Sequence, residues 1–379
     1  MRGPPAARGV AARQIPALDG IRGLAIVWVA LHNTTDLPTT PSGGVSHLLI
    51  LLSHPGWIGV QLFFALSGFL ITAGLIDSQG ARNYFSGFYA RRALRILPLY
   101  YAVLLALLVV LPHLVTPPAP FTTDGQASLW LFTANLTQQT PYGFGHFWSL
   151  AIEEQFYLVW PLVVFWLTPR GLLAACLGIS GGALALRWAL AAHGADWWTL
   201  YSTTPCRMDA LALGAAGACI VRLPRLREWL GSRVRTLALL SALLLVAGIP
   251  LTHYYDRTGF AGETIGYTLL ALSSAVFVTA TAVPEGARVG LASLLSWRPL
   301  TSCGRYSYAM YVFHQILHKL VGEPWLHMRF GDQPTTQVIV FYSLAILLVS
   351  YLLAFCSYHA FEKRFLRMKR LFEPRTARG

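Results

Sequence analysis

GHFWSLAIEEQFYLVWPLVVFW, residues 145–166, decides the fold class. Trp, Phe, Leu and Val dominate a stretch of about 20 residues, the length at which an α-helix crosses the ~30 Å hydrocarbon core of a bilayer. Yet Glu153 and Glu154 stand side by side within it. A charge at the bilayer centre costs about 2.5–3.5 kcal/mol on insertion scales, so adjacent carboxylates there point to a task inside the membrane.

The surrounding chain has the same character. Its 379 residues are 55% hydrophobic and 12% charged, with mean hydropathy +0.52, too apolar for a soluble fold of that size. Windows of roughly 20 residues mark about ten spans, near 17–36, 56–76, 94–114, 147–168, 171–191, 205–222, 236–254, 264–283, 306–321 and 337–361. The expected fold is all-α, a polytopic membrane helix bundle. One transmembrane domain covers 1–367, and a basic cytoplasmic tail, 368–379, follows. The N-terminus is basic ahead of an apolar stretch, as in a signal peptide, but Asp19 and Arg22 interrupt that stretch. It reads as a retained first span.

Lys and Arg near span ends stay on the cytoplasmic side. Most of the 29 basic residues sit on alternate connections. Arg2, Arg8, Arg13 and Arg22 precede or open the first span, Arg82, Arg91, Arg92 and Arg95 lie between the second and third, and Arg288, Arg298 and Arg305 precede the ninth. The tail is basic through Arg378, and the other side and outer span halves hold only Arg187, Arg207, Arg257, Lys319 and Arg329. Both termini are therefore expected in the cytoplasm, which requires an even number of spans. This asymmetry, with attraction to anionic headgroups, accounts for the net charge of +13 without a nucleic-acid partner. The five cysteines form no CxxC pair and no metal-type spacing, so no metal is expected.

Rising 1.5 Å per residue from the cytoplasm near Ala17, the first span carries His32 to about 8 Å below the outer edge of the core. The fourth span enters from outside near Phe147 and brings Glu153 to about 9 Å below the same edge. "TTPCRMDALALG" sets Arg207 and Asp209 slightly higher. A His beside a carboxylate suits general-base chemistry on a hydroxyl. A histidine capping a helix, with Glu153 paired to Arg207, accounts for the same residues. Glu154, one position round the helix, is expected to face another polar neighbour.

On the inner side, "FYARRALRILPLYY" (88–101) places Arg92 and Arg95 on one helix face, with Arg91 beside them. Guanidinium groups match phosphate oxygens bidentately, and positive-inside anchoring explains the same residues. Ser67 and Gly68 fall near mid-depth of the second span, where small residues allow close helix approach or line a substrate passage. His314 and His318, four apart, read as interior polar contacts.

Seven stretches in order, "IPALDGIRGLAIVWVALHN", "GVQLFFALSGFLIT", "FYARRALRILPLYY", "HFWSLAIEEQFYLVWPL", "CRMDALALG", "YSYAMYVFH" and "SYHAFEKRFLR", resemble the membrane-bound acyltransferase-3 family over almost the whole chain. The resemblance implies catalytic roles for His32, Asp19, Arg22 and Glu153. It assigns Arg92 and Arg95, with Arg91 alongside, to the acyl donor, and matches Arg207, Asp209, Ser307 and His314 to further family motifs. Arg22 and His32 are separated by one residue fewer than in the family, which turns His32 about 80° from Arg22 on an ideal helix and disfavours direct contact.

The function implied is transfer of an acyl group, acetyl by family default, from cytoplasmic acyl-CoA to a hydroxyl of a carbohydrate or glycosylated acceptor at the outer side. His32 is the expected general base, Glu153 orients it, and Arg207, Asp209, Ser67 and His314 are the substrate-binding candidates. Acyl-CoA is a donor substrate here, and no permanently bound cofactor is expected. The expected partners are that donor, the acceptor and the lipid bilayer, in a bacterial cytoplasmic membrane. The competing reading is a transporter of a polar glycan-like solute. Inverted repeats or paired broken helices would favour it, and the sequence displays neither.

Overall fold

The computed structural model describes residues 15–40, 44–114, 125–283 and 290–375. Arg2, Arg8, Arg13, Arg288, Arg378 and the last residues of the expected tail lie outside the described residues. Within them the chain is helical, with one isolated bridge between Thr40 and Thr335.

In chain order the helices are α1 (Pro16–Thr35), α2 (Val45–Ser53), α3 (Gly59–Asp77), α4 (Tyr84–Leu104), α5 (Gln126–Trp130) and α6 (Phe147–Trp166). There follow α7 (Pro169–Ala192), α8 (Trp197–Ser202), α9 (Thr204–Ile220), α10 (Pro224–Ser232), α11 (Val234–Leu251) and α12 (Tyr267–Ala282). The last are α13 (Gly290–Leu295), α14 (Arg298–Leu317), α15 (Glu323–Phe330), α16 (Thr336–Ser357) and α17 (Lys363–Met368). Local chemistry sets several boundaries. Pro occupies the first turn of α1, α7, α9 and α14, where its missing N–H costs nothing. The side chains of Thr168 and Asp196 cap α7 and α8.

Six helical stretches are long and apolar enough to cross a membrane: Val45–Asp77, Tyr84–His113, Pro169–Ala192, Val234–Leu251, Gly262–Ala282 and Thr336–Phe372. The chain is accordingly an integral membrane protein. Four of the expected spans fall outside this set, and each carries charge: Asp19 and Arg22 on α1, Glu153 and Glu154 on α6, Arg207 and Asp209 on α9, Arg298 and Arg305 on α14.

α3 is central. The apolar window of its stretch is 78% buried, against 17% for that of α11, so α3 packs among helices while Leu239, Leu243 and Val246 of α11 stay exposed. An apolar face of that kind belongs against lipid. α1 packs on α14 and α3, and α3 packs in turn on α9, α12 and α6. Two of the glycines that permit close crossings are Gly68 and Gly304. A Cβ on Gly68 would strike the Leu211 carbonyl of α9, and one on Gly304 would strike the Asp19 carbonyl of α1. Small residues at such points let backbones approach without a side chain between them.

Candidate active site: two cavities along the first helix

The inner cavity, about 100 Å³, is lined by Arg22 of α1, Ser67 of α3, Arg92 and Arg95 of α4, Glu153, Glu154 and Tyr157 of α6, and Ser307, Tyr308 and Tyr311 of α14. Arg22 donates to Asp19 Oδ1 at 2.7 Å. Ser67 donates to Glu153 Oε1 at 2.7 Å and the Tyr157 hydroxyl to Oε2 at 3.0 Å. Arg92 lies over the Tyr157 ring, 5.4 Å from its centroid. Both carboxylates that raised the question in the sequence thus face one cavity, opposite three guanidinium groups.

The outer cavity, about 750 Å³, is lined by Trp28 and His32 of α1, by His54, Pro55, Trp57 and Ile58 ahead of α3, and by residues of α11 and the segment 253–258 beyond it. His32 is 4% exposed, and its Nδ1 has no hydrogen-bond partner among the described residues. The His54 ring lies 6.3 Å away, edge-on. Three successive non-glycine residues, His253, Tyr254 and Tyr255, have φ of 47°, 63° and 57°. Left-handed backbone costs such residues roughly 1–2 kcal/mol each, and strain of this kind gathers at functional sites. The turn is held by Tyr255, whose amide donates to Thr252 Oγ1 at 3.0 Å and whose hydroxyl reaches the Leu245 carbonyl at 2.9 Å. It presents Asp256 and Arg257 to the cavity. The amide and hydroxyl of Thr258 donate to Asp256 at 3.0 and 2.9 Å and hold its carboxyl below the usual carboxylate range.

The expected contact between His32 and Glu153 is not made. They line different cavities, and Glu153 is bonded to Ser67 and Tyr157 instead. The depth argument assumed that α6 begins at the outer rim. In fact Phe144, His146, Phe147, Trp148 and Ser149 are all buried, and α6 packs against Ala134–Leu136 and α8. The helix therefore starts inside the bundle, and Glu153 sits deeper, beside Ser67 and Arg22. Asp19 and Arg22 belong to this inner group, about 20 and about 15 Å from His32 along α1.

Neither Arg207 nor Asp209 lines the two cavities. Asp209 pairs with Arg187 at 2.8 Å, both side chains fully buried, and accepts from Thr268 at 3.1 Å. Arg207 is also fully buried. Gln61, with its amide oxygen turned inward, accepts from both of its terminal nitrogens at 3.0 and 3.2 Å. The rings of Phe64, Trp148, Tyr201 and Tyr267 surround its guanidinium. The outer polar cluster expected from the sequence is thus a structural pair and an aromatic cage.

His314 is likewise interior. Its Nδ1 donates to the Tyr311 carbonyl at 2.7 Å, which leaves Nε2 to accept from Asn33 at 3.0 Å. His318 meets the Tyr342 hydroxyl at 2.6 Å, so the two histidines do not share a ligand. Arg91 donates to the Phe372 carbonyl, and Asn83 bonds Glu373 and Arg375. These contacts dock the described part of the tail against the start of α4.

Several lining residues had no role assigned from the sequence, although Tyr157, Tyr308 and Tyr311 stand inside the quoted stretches. Tyr157, Tyr308 and Tyr311 look like ordinary aromatic residues of apolar spans. His54 and Trp57 lie in "SHPGWIG", and the run "HYYDR" at 253–257 is the polar interruption between two spans. The charge asymmetry had already set Arg257 apart as a basic residue on the sparsely basic side.

A model of the acyltransferase domain matches residues 15–355. The chain is 28% identical over 374 residues to a provisionally named peptidoglycan O-acetyltransferase, YrhL, of Bacillus subtilis (strain 168), covering 93% of this chain and 55% of that protein. It is 28% identical over 331 residues to the peptidoglycan O-acetyltransferase OatA of Listeria monocytogenes, covering 80% and 49%. To the O-acetyltransferase OatA of Staphylococcus aureus it is 27% identical over 330 residues, covering 80% and 50%. The chain spans about half the length of these curated relatives. No solved structure matches it.

Proposed function

The chain belongs to the acyltransferase family, and on that premise we propose that it is a membrane O-acyltransferase. It moves an acetyl group from cytoplasmic acyl-CoA to a hydroxyl of an envelope carbohydrate, peptidoglycan or a related glycan, at the outer face of a bacterial cytoplasmic membrane. In this reading α1, α6, α9 and α14 complete a ten-span bundle with both termini in the cytoplasm. The charges of α1, α6 and α9 cost little because they face protein and cavities rather than lipid, while the exposed Arg298 and Arg305 lie toward the start of α14, where basic residues are tolerated at a cytoplasmic edge.

The observation that carries the reading is the pair of cavities on one helix, with Arg22 in the inner and His32 in the outer. Arg22, Arg92 and Arg95 suit the phosphates of the donor. Glu153 and Glu154 moderate their mutual repulsion, so Glu153 acts at the donor end rather than on His32. The long pantetheine arm then carries the thioester along the bundle toward His32.

His32 takes the proton from the acceptor hydroxyl as its oxygen attacks the thioester carbonyl. The tetrahedral intermediate collapses, the C–S bond breaks, and the proton passes from the imidazolium to the departing CoA thiolate. No acyl-enzyme is needed.

The test uses full-length protein in nanodiscs with labelled acetyl-CoA and peptidoglycan oligosaccharides. The wild type is expected to label the acceptor and His32→Gln to lose that labelling. A His32→Gln protein with wild-type turnover would overturn the assignment.

A further inference from the structure

We propose that the outer cavity takes an acceptor carrying an anionic group, carboxylate or phosphate, gripped by Arg257 while a saccharide ring lies against Trp57 and Trp28 beside His32. This inference rests on the acyl-transfer reading and names its acceptor class.

Arg257 is only partly buried, and its guanidinium carbon lies over the Trp57 ring, 5.8 Å from the centroid, and 6.0 Å from that of Tyr201. Among the described residues no carboxylate lies within ion-pair reach of it. Its neighbour Asp256 is turned onto Thr258. A guanidinium held over an aromatic face by a cation–π contact keeps its N–H fork free, the arrangement that binds a planar or tetrahedral oxyanion bidentately.

Arg257 lines the same cavity as His32 and places a positive charge there. An imidazolium forming on His32 is therefore repelled by Arg257, and an anion seated on Arg257 removes that repulsion. The left-handed turn at 253–255 directly precedes Arg257 and brings it to the wall of the cavity that His32 also lines, which gives the strain a role. The partnerless Nδ1 of His32 is the second sign that this cavity is built around a polar ligand.

Tryptophan fluorescence of the full-length protein in nanodiscs, without acyl donor, tests this with three probes of equal ring number. They are a neutral N-acetylglucosamine oligosaccharide, its C6-oxidised uronate form, and one carrying a terminal phosphate. The wild type is expected to bind at least one anionic probe about tenfold more tightly than the neutral one. Added salt should narrow the gap. Arg257→Gln should bring the anionic probe to the affinity of the neutral one, and Arg257→Lys should retain part of the preference. Preference for the uronate alone identifies a carboxylate-bearing acceptor, and for the phosphate alone a phosphorylated one. Equal binding of all three by the wild type, or an unchanged preference in Arg257→Gln, overturns the proposal. Because no donor is present, binding and transfer fail separately: anion preference without acyl transfer refutes only the enzyme reading, and transfer to a neutral acceptor without anion preference refutes only this one.

Discussion

Ser67 donates a 2.7 Å hydrogen bond to Glu153, tying the central helix α3 to α6 on the wall of the inner cavity. Tyr157 completes the carboxylate's partners from one turn along α6, and Arg22 and Arg92 supply the nearby positive charge. Glu153→Gln keeps the size and removes the charge. Transfer measured as kcat/KM is expected to fall about tenfold or more, a loss of about 1.4 kcal/mol or more of transition-state stabilisation. Ser67→Ala removes one hydrogen bond, and its thermal unfolding should report a loss of about 0.5–1.5 kcal/mol. Wild-type transfer by Glu153→Gln would remove the carboxylate from the donor end.

Arg187 and Asp209 form a fully buried ion pair. Asp209→Asn leaves a buried guanidinium without its counter-ion, and such losses cost about 3–5 kcal/mol. A lowered unfolding temperature in detergent is expected. The double variant Arg187→Met with Asp209→Leu should recover most of it, because two apolar side chains no longer require desolvated charge to be matched. A single Asp209→Asn protein as stable as the wild type would contradict the pairing.

The two ends of α1 should separate kinetically. His32→Gln is expected to reduce kcat by about 10²–10⁴-fold, the range of lost general-base catalysis, with donor binding intact. Arg92→Gln should do the reverse, raising the apparent Kd for CoA and flattening its dependence on salt. Equilibrium binding of CoA beside single-turnover transfer measures both. A loss of CoA affinity in His32→Gln equal to that in Arg92→Gln would merge the two cavities into one site.

Gly68→Leu would force a side chain against the Leu211 carbonyl at the crossing of α3 and α9. Overpacking at such a contact costs about 1–3 kcal/mol, so a lower melting temperature is the expected outcome. Gly74, which has open space around the same position, is the control: Gly74→Ala should leave stability nearly unchanged.

Much of the site was legible in pattern. Glu153, Arg92, Arg95 and Ser67 stood out because polar residues in apolar spans are expensive, and all four line one cavity. Their grouping was not legible. A rise of 1.5 Å per residue estimates height only when the helix is known to start at the bilayer edge, and the buried beginning of α6 broke that premise for Glu153. Arg207 and Asp209 carried the same polar signal, yet the packing of α7 and α12 beside α9 gave Asp209 the partner Arg187 and left Arg207 with Gln61 and four rings.

Apolar windows, basic flanks and ordered motifs were enough to establish a helical membrane protein of the acyltransferase family, because burial in lipid constrains composition residue by residue. Which polar groups meet was decided only in three dimensions. Helix azimuth and the height at which each helix begins depend on contacts between elements far apart in sequence, and the turn at 253–255 uses a left-handed backbone that non-glycine residues do not announce. For that reason Arg257, an apparent exception in the charge pattern, became a wall of the cavity that holds His32.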